Sequence, residues 1–585
     1  MNRPKASSWL VGVFLFLVLL VLLAILVMPF SFLKTGLDRL SRDNSLSMLK
    51  PENASVFRFW LGLAWIAIAG ILYLSFWRKW NGVTAFLRQS GGDTLRFFSI
   101  KKPTKTDLLH LALLLLIIVF AVIRRLASIE GPMTHDEAYT VVNFSDTFFH
   151  ALTDYSMPNN HVLHTLLVNL FIGMWGIAPW VVRLPAFIAG VLLVPGVYVL
   201  AKRIYDPWTG ILAALLVAFA PDLVHYSTNA RGYTLVALFT LLIMILGNYV
   251  RQNKNRFAWG LIALFSALGM FTVPVMLFPF GILFIWLLFE NLLNDTEAYS
   301  SKGEFLRYWL VAGFGAGLLT LLFYTPVLVY SGPQALLSNG FVAPVAWRDL
   351  LDIWRSRFTE TWKAWTAGVP GVVTVVLGII WLLASLFHRR IARIKFPLQA
   401  AAGIWILTLL VVQRYNAWEK VWVFLLPLML MWAAAGLMGL LQKVHLPAAY
   451  PVSLAGTLGI LLVLGGAWST IRLAPRLTAI LSERGEVENT LLYLQNNMQE
   501  NDLVVVDWPD DASYWFYSLE HGINSLHFDK RIPFTRAWIA VNPPDDQTIA
   551  SVMADRGPDY PLLDLEAAQL VQEFGTHQLY LVPVK

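Results

Sequence analysis

Residues 108–129 read LLHLALLLLIIVFAVIRRLASI, and Gly131-Pro132-Met133-Thr134-His135-Asp136-Glu137-Ala138-Tyr139 follows almost at once. A helix of about 20 predominantly apolar residues crosses the ~30 Å hydrocarbon core of a bilayer, and this run has that length. Comparable runs recur along most of the chain, for example at Trp9–Phe30 and Tyr308–Tyr330. The fold class predicted from these runs is an all-α polytopic membrane protein.

The composition of the whole chain agrees with a membrane protein. Of its 585 residues 57% are hydrophobic and only 14% are charged, whereas soluble globular chains have roughly 25% charged residues. The net charge of +7 lies largely in short loops, where it reports orientation and gives no sign of nucleic-acid binding. Because the chain has no cysteine, disulfides and thiolate metal sites are excluded.

The basic loops predict the orientation, since Lys and Arg are retained in short cytoplasmic loops. The basic groups are Arg78-Lys79 with Lys101-Lys102-Lys105, Lys202-Arg203, Arg251/Lys254/Arg256 and Arg389-Arg390/Arg393/Lys395. They share one face if the chain has about thirteen spans of typical length. These spans lie near 9–30, 57–77, 107–128, 180–200, 208–226, 233–250, 257–273, 275–291, 308–330, 371–388, 398–413, 421–441 and 449–470.

This arrangement places the protein as a multi-pass component of the plasma (inner) membrane, with its amino terminus cytoplasmic and its carboxyl terminus outside. The apolar but short segment His161–Gly176 would reverse every later loop if it crossed. We therefore expect it to lie in the membrane interface as an amphipathic helix.

Three regions are expected: 1–106 with extra amino-terminal spans and a basic cytoplasmic loop, 107–470 with the remaining spans and external loops 129–179 and 331–370, and a soluble α/β domain at 471–585. In the last region, strands are predicted at 503–506, 537–541 and 578–582, and helices at 487–498, 548–553 and 566–574. This alternation indicates a small, largely parallel sheet. Without a glycine-rich fingerprint after the first strand, a dinucleotide site is not expected.

The acid pair Asp136-Glu137 lies just beyond the third span on the external side. It is either an ordinary solvated acidic loop or a functional group at a membrane mouth, where paired acids are typical of acid–base or cation chemistry. In the functional interpretation one acid removes a proton from an acceptor hydroxyl. The other acid orients the acceptor or holds a divalent cation through its oxygens.

Cationic and histidine side chains gather on the same predicted side. His161 and His164 lie three positions apart and are either interface residues or, less commonly, metal ligands. Arg183, Arg231 and the group Arg414-Tyr415 with Lys420 lie near external span ends. Each could be an ordinary interfacial anchor, but together they suit the binding of a phosphate. The candidate metal ligands are Asp136, Glu137 and His161.

Taken in order, four segments resemble the GT-C superfamily of polyprenyl-phosphate-sugar-dependent glycosyltransferases. They are more similar to the bacterial branch that includes relatives of protein O-mannosyltransferases and the lipid A aminoarabinose transferase. The segments are Thr134–Tyr139, Asn160-His161 to Trp175-Gly176, Val182–Ala186 and Tyr226–Tyr233. The usual His-Pro-Pro-Leu-Tyr motif stands here as His161-Val162-Leu163-His164, and Asn229 replaces an acid.

The resemblance implies a catalytic base at Asp136 with Glu137 beside it. It also implies a substrate role for His161, Arg231 and Tyr233, and a similar role for Arg414 and Tyr415 before a late span. It implies a polyprenyl-phosphate sugar as donor, a soluble extracytoplasmic terminal domain, and no certain cofactor beyond a possible divalent cation. The acceptor is left open between a protein, a lipid and a polysaccharide.

Two other functions remain in competition with glycosyl transfer. A lipid-linked sugar transporter or flippase would use the acids and arginines to line a path, but the predicted spans carry few charges, which favours chemistry at the interface. An inactive scaffold that presents the terminal domain is the third possibility.

Overall fold

The computed structural model describes residues 6–38, 91–98, 104–293, 298–337, 343–367, 369–443, 485–528, 533–556 and 563–585, with isolated positions between 58 and 89. The predicted spans 449–470 and, apart from isolated positions, 57–77 lie outside the described residues.

Helices make up the first part of the described chain. The first helices in the chain are α1 Ala6–Val27, α2 Phe30–Asp38, α3 Lys105–Leu126, α4 His135–Phe144, α5 Phe148–Thr153 and α6 Val162–Trp175. The central helices are α7 Pro179–Ile204, α8 Pro207–Phe219, α9 Pro221–Ser227, α10 Tyr233–Gln252, α11 Arg256–Thr272, α12 Leu277–Leu293 and α13 Lys302–Tyr330. The later helices are α14 Pro333–Leu337, α15 Leu350–Trp365, α16 Gly371–Leu386, α17 His388–Ile391, α18 Leu398–Gln413 and α19 Leu426–Lys443.

Several of these helices are suited to cross a membrane. Within the described residues, 5 helices are long and apolar enough, or 6 if the bent pair α8–α9 is one span. The shorter apolar helices include α6, α11, α16 and α18. The helices begin and end within a few residues of the predicted spans from 107–128 to 398–413, because apolar length determines both. The total of about thirteen spans stays a prediction.

The bend between α8 and α9 is 63° and has a clear cause in the sequence. Pro221 supplies no backbone N–H, so the helix cannot continue through it. Arg125, fully buried in α3, donates to the carbonyl oxygen of Ala218 at 3.1 Å and to Ser227 Oγ at 3.1 Å. Arg125 is a buried charge inside a predicted span, and it supplies hydrogen bonds to groups on either side of the break between α8 and α9. Its role is therefore structural.

The terminal part of the chain contains a four-stranded sheet. Its strands are β1 Asp502–Val505, β2 Arg536–Val541, β3 Gln569–Phe574 and β4 His577–Pro583, in the order β1-β2-β4-β3. Strands β1 and β2 are parallel, whereas β2–β4 and β3–β4 are antiparallel. Three helices accompany the sheet: α20 at residues 485–497, α21 Asp511–Glu520 and α22 Ile549–Arg556.

Two expectations for this region were wrong. Residues 566–574 were expected to be helical, but 569–574 form β3, because Gly575 adopts φ 62° and turns the chain back so that Phe574 pairs with His577. This hairpin makes the sheet mixed, where a largely parallel sheet was expected. The strands at 503–506, 537–541 and 578–582 lie within one residue of β1, β2 and β4.

Candidate functional site

The acid pair lies at the amino end of α4, a few residues after the carboxyl end of α3. Thr134 precedes the helix, and its backbone N–H and its hydroxyl both donate to Glu137 Oε2 at 3.0 Å. A carboxylate in the first turn that accepts from the residue before the helix fixes where the helix begins. Asp136 and Glu137 therefore occupy the first turn of α4, where the partial positive charge of the helix end favours carboxylates.

Glu137 is fully buried and paired with Arg183. Arg183 Nε donates to Glu137 Oε1 at 2.8 Å and Nη2 to Oε2 at 2.9 Å, and the backbone N–H of Ala230 donates at 2.6 Å. Burial alone would raise the pKa of the Glu137 carboxyl, but the charge and hydrogen bonds of Arg183, with the backbone donors, lower it below its usual range. Glu137 is thus an ionised group inside the protein, without exposure to a substrate.

The remaining donors of Arg183 bind the loop that leads to α4. They reach the carbonyl oxygens of Ile129 at 2.9 Å, Pro132 at 2.7 Å and Gly131. A guanidinium has five N–H donors, and all of them are used here. This leaves no donor of Arg183 for the phosphate that the sequence analysis assigned to it.

Asp136 has the opposite surroundings, since its side chain is 40% exposed. Lys420 Nζ lies 3.1 Å from Asp136 Oδ2, and Arg231 Nη2 lies 3.8 Å from the same oxygen. Burial of part of the carboxyl raises the pKa of Asp136, but Arg231 and Lys420 outweigh it and lower the pKa below its ordinary value. Asp136 is therefore an accessible, ionised carboxylate between two cations.

Arg231 is almost completely buried behind Asp136. Its Nη1 donates to Thr140 Oγ1 at 2.9 Å and its Nη2 to Asn159 Oδ1 at 3.2 Å. Its Nε is buried and has no hydrogen-bond partner among the described residues. Arg231 thus joins α4 to the segment before α6 and retains one unused donor.

His161, Tyr233 and Gly232 form the floor beside Arg231. The backbone N–H of Gly232 donates to His161 Nδ1 at 2.9 Å, and the ring centroids of His161 and Tyr233 are 4.9 Å apart. A side chain at Gly232 would approach Thr272 Cγ2 to 2.5 Å, so only glycine fits. Burial, followed by the charge of Arg231, lowers the pKa of His161 well below its usual value, which keeps the ring neutral.

Arg414 and Tyr415 are placed differently from each other. Arg414 has a left-handed backbone with φ 50°, and its guanidinium lies 5.2 Å from the ring centroid of Trp347. In the described residues it makes no hydrogen bond or ion pair with Asp136. Burial, followed by the nearby Tyr233, raises the pKa of Tyr415, and burial, with a further contribution from Tyr415, raises the pKa of Tyr155. The structure brings together Asp136, His161, Arg231, Tyr233 and Tyr415, and it separates Glu137, Arg183 and Arg414 from them.

Lys420, Asn159 and Thr140 belong to the cluster but were not among the predicted site residues. Lys420 was recognised only as one of the cations in the loop before α19, and 284 positions separate it from Asp136. Asn159 donates to Asp136 Oδ1 at 3.5 Å and directly precedes the Asn160-His161 segment. Its position next to Asn160-His161 is the feature of the sequence from which Asn159 could have been predicted as a site residue.

The candidate metal ligands Asp136, Glu137 and His161 do not converge. Both ring nitrogens of His161 have hydrogen-bond partners, the backbone N–H of Gly232 and, at 3.4 Å, Arg231 Nη2. Both carboxylate oxygens of Glu137 already accept hydrogen bonds from protein donors. In the described part of the chain, the group whose ligand atoms all lie within 4.8 Å of one another is Glu488, Glu520 and His521, near α21. Of the three candidates, only Asp136 presents a carboxylate that a cation could reach.

The terminal region contacts the loop before α4 directly. The backbone N–H of Met133 donates to the Tyr517 hydroxyl at 3.1 Å, and Ser513 Oγ donates to the carbonyl oxygen of Met133 at 3.1 Å. His135 Nδ1 lies 3.0 Å from the carbonyl oxygen of Pro509 and 3.4 Å from Asp511 Oδ1. The hydrogen bond and charge of Asp511 raise the pKa of His135.

Comparisons with known proteins identify part of this region. Residues 160–301 match a family described as dolichyl-phosphate-mannose-protein mannosyltransferase. A comparison with curated protein sequences gave no match.

Among solved structures, the chain aligns with ArnT from Cupriavidus metallidurans in its apo state at 13% identity and a TM-score of 0.48, covering 80% of this chain and 97% of that chain. The alignment with ArnT bound to undecaprenyl phosphate has 12% identity and a TM-score of 0.47, and covers 82% of this chain and 98% of that chain. The chain also aligns with the archaeal oligosaccharyltransferase AglB from Archaeoglobus fulgidus, in complex with an inhibitory peptide and a dolichol-phosphate. That alignment has 11% identity and a TM-score of 0.47, and covers 77% of this chain and 71% of that chain.

The family match confirms the resemblance to polyprenyl-phosphate-dependent glycosyltransferases expected from the sequence. The matched segment contains His161, Arg183, Arg231 and Tyr233, whereas Asp136 and Glu137 precede it. Residues 160–301, about a quarter of the chain, are therefore similar to the dolichyl-phosphate-mannose-protein mannosyltransferase family.

Proposed function

We propose that this protein transfers a sugar from a polyprenyl-phosphate donor to an acceptor hydroxyl at the extracytoplasmic membrane face, with Asp136 as the general base. The observation that carries the proposal is the exposed, ionised carboxylate of Asp136 beside Lys420 at 3.1 Å and Arg231 at 3.8 Å. An acidic side chain for the acceptor proton and two cations for a phosphate are the groups that this reaction needs.

In the proposed reaction Asp136 accepts the proton of the acceptor hydroxyl while that oxygen attacks the anomeric carbon. The bond between the anomeric carbon and the phosphate oxygen breaks, and polyprenyl phosphate leaves with the electron pair. Lys420, which is 34% exposed, is the donor that reaches the departing phosphate, and the buried guanidinium charge of Arg231 behind Asp136 adds to the stabilisation of the departing charge. A displacement of this kind inverts the configuration of the sugar.

The same cations couple donor binding to the strength of the base. With Lys420 and Arg231 on Asp136, the pKa of Asp136 is low and the carboxylate is a weak base. A donor phosphate that takes over these cations removes their stabilisation and adds a negative charge nearby. Both effects raise the pKa of Asp136 toward the range that is efficient for proton transfer, so the base becomes effective when the donor is bound.

Asp136→Asn is expected to lower kcat by at least about 100-fold, the usual contribution of a general base, without loss of the folded protein. Proteoliposomes with a labelled lipid-linked sugar and the acceptor would measure transfer. Asp146→Asn is the matched control, since Asp146 lies on the same external segment, is 46% exposed and pairs with His150. Full turnover by Asp136→Asn would exclude Asp136 as the base.

The competing flippase activity predicts a different result in the same vesicles. A flippase moves the labelled lipid between leaflets and forms no new glycosidic bond. The polar cluster around Asp136 lies at the end of α3 and the beginning of α10, and the charge buried within α3, Arg125, is bound to the bend between α8 and α9. This distribution supports chemistry at the interface over a charged path through the bundle.

A further inference from the structure

A polar cavity of about 500 Å³ lies at the carboxyl ends of α7 and α10. Tyr198 and Asn248 form its buried floor, at 8% and 3% exposure. Lys202, Arg203, Gln252 and Arg393 surround them. The volume is within the usual range of about 300–1,000 Å³ for sites of small ligands.

The cavity lies at the opposite end of the helices from Asp136. Helix α7 contains Arg183, the partner of Glu137, near its beginning and Arg203 twenty positions later. At 1.5 Å per residue this separation is about 30 Å, the thickness of the hydrocarbon core. Helix α10 likewise begins at Tyr233 beside His161 and ends at Gln252 in the cavity. The two sites therefore belong to opposite membrane interfaces.

The charge of the cavity is positive and uncompensated. Lys202 of the cavity is paired with Asp107 at 3.0 Å, and outside the cavity Arg251 is paired with Glu290 at 3.3 Å. Arg203 and Arg393 have no acidic partner among the described residues, and no carboxylate from that part of the chain lines the cavity. The backbone N–H of Arg393 donates to the carbonyl oxygen of Ile204 at 2.8 Å, which holds Arg393 close to Arg203.

An apolar strip leads along α7 to this basic rim. Ile188, Leu192, Val199 and Arg203 are spaced by four, seven and four positions, which places them on one face of a helix. Ile188 and Leu192 are 46% and 44% exposed, and Val199 lines the cavity. A ligand with a phosphate group and an acyl chain would match both the rim and the strip.

We propose that this cavity binds the phosphate headgroup of an anionic membrane lipid, at the membrane interface opposite the Asp136 site. The planar forks of Arg203 and Arg393 suit phosphate oxygens, and basic pockets between helix ends at the interface select anionic headgroups. Tyr198 and Asn248 offer a hydroxyl and an amide to the rest of the headgroup. The proposal does not depend on the proposed transferase function.

The test uses the purified full-length protein and compares phosphatidylglycerol with phosphatidylcholine by native mass spectrometry and lipid titration. Arg203→Gln/Arg393→Gln removes the two rim charges, and Arg389→Gln/Arg390→Gln removes two exposed charges from the same segment outside the cavity. We expect the first variant to bind phosphatidylglycerol roughly 30-fold more weakly, since each of the two basic residues near an anionic lipid contributes about 5-fold in affinity. The second variant should bind it like the parent.

Equal binding of phosphatidylglycerol by the parent and by Arg203→Gln/Arg393→Gln would overturn the proposal. Equal binding of phosphatidylcholine and phosphatidylglycerol by the parent would also overturn it. Inorganic phosphate serves as the second arm: displacement of phosphatidylglycerol by millimolar phosphate alone would reject a lipid as the ligand in favour of a free phosphate. Both arginines are exposed, and Arg393→Gln alone provides the same comparison if the double variant is unstable.

Discussion

Asp136 and Glu137 are adjacent in the sequence and face different surroundings. Successive side chains on a helix point in directions about 100° apart, so the two carboxylates at the start of α4 cannot share one environment. Glu137 is turned inward to Arg183 and has no exposed surface, whereas the carboxylate of Asp136 is 40% exposed between Lys420 and Arg231. We infer that Glu137 positions the loop and that Asp136 does the chemistry.

Replacing Glu137 with Gln should destabilise the protein by about 3–5 kcal/mol, because Arg183 would be left as an uncompensated buried charge. Thermal unfolding in detergent would measure this loss. The lowered pKa of Glu137 means that its contribution is complete above the ordinary pKa of about 4.3 and is lost as the pH falls through its folded value. The double variant Glu137→Gln/Arg183→Met should lose less than the sum of the two single changes. Additive losses would contradict a coupled pair.

Replacing Lys420 with Met should move the acid limb of the pH–rate profile to higher pH. Lys420 holds the pKa of Asp136 down, so its removal raises this pKa and the base is protonated at a higher pH. Initial rates of sugar transfer between pH 4 and 8 would show the shift. Lys363→Met on α15 is the control, because Lys363 makes no contact with Asp136 in the described residues. An unchanged acid limb would show that Lys420 does not set the pKa of the catalytic base.

The composition of the cluster shows which residues a sequence can and cannot reveal. Asp136, His161 and Arg231 could be predicted because each lies in a recognisable polar segment beside an apolar run. Lys420 is 284 positions from Asp136, and only the packing of the helices brings the two together. Arg183 was predicted as a phosphate ligand because its charge was visible in the sequence, whereas the carbonyl groups that occupy its donors were not.

Among the elements, α4 depends on the terminal region for its position. The loop before α4 exchanges two hydrogen bonds with α21 through Met133, and the next contact is His135 with Pro509 and Asp511. These bonds join residues more than 370 positions apart. Because Asp136 follows His135 directly, these contacts act together with the Glu137–Arg183 pair to position the proposed base.

Tyr517→Phe should reduce kcat up to about 100-fold, as expected for a displacement of a catalytic group by about 1 Å, while the donor KM changes little. The change removes the acceptor for the Met133 N–H and leaves this buried group unpaired. Steady-state kinetics in proteoliposomes would separate kcat from KM. Tyr580→Phe is the control, since its hydroxyl donates to Gln578 within the sheet. A loss confined to thermal stability would assign Tyr517 to folding alone.

The elements themselves could be predicted from the sequence to different degrees. Helices α3, α7 to α13, α16 and α18 follow the predicted spans closely, because an apolar run of sufficient length forms a helix in a membrane. Strand β3 could not be recognised, since Gln569–Phe574 becomes a strand only through its pairing with β4. Pairing partners decide β structure more than local preference does.

At the scale of the whole molecule, the two ends of the bundle have different chemistry. One end holds the acid pair, its cations and the terminal sheet, and the other holds the basic cavity and the ion pairs of Arg251 and Lys254. An excess of basic residues in short loops predicts that the second end is cytoplasmic. The sheet and Asp136 would then be outside, where the proposed acceptor is presented.

The absence of cysteine from the sequence allows a direct test of this orientation. Gln572→Cys places a thiol on the exposed face of β3, and Ser300→Cys places one in the exposed loop before α13, close to Tyr299, whose hydroxyl bonds to the carbonyl oxygen of Val250. In intact cells a membrane-impermeant maleimide should label the first variant, and it should label the second only after permeabilisation. The parent chain, which has no thiol, provides the background. Labelling of Ser300→Cys in intact cells with protection of Gln572→Cys would reverse the orientation, and Asp136 would then face the cytoplasm, on the wrong side for an acceptor outside.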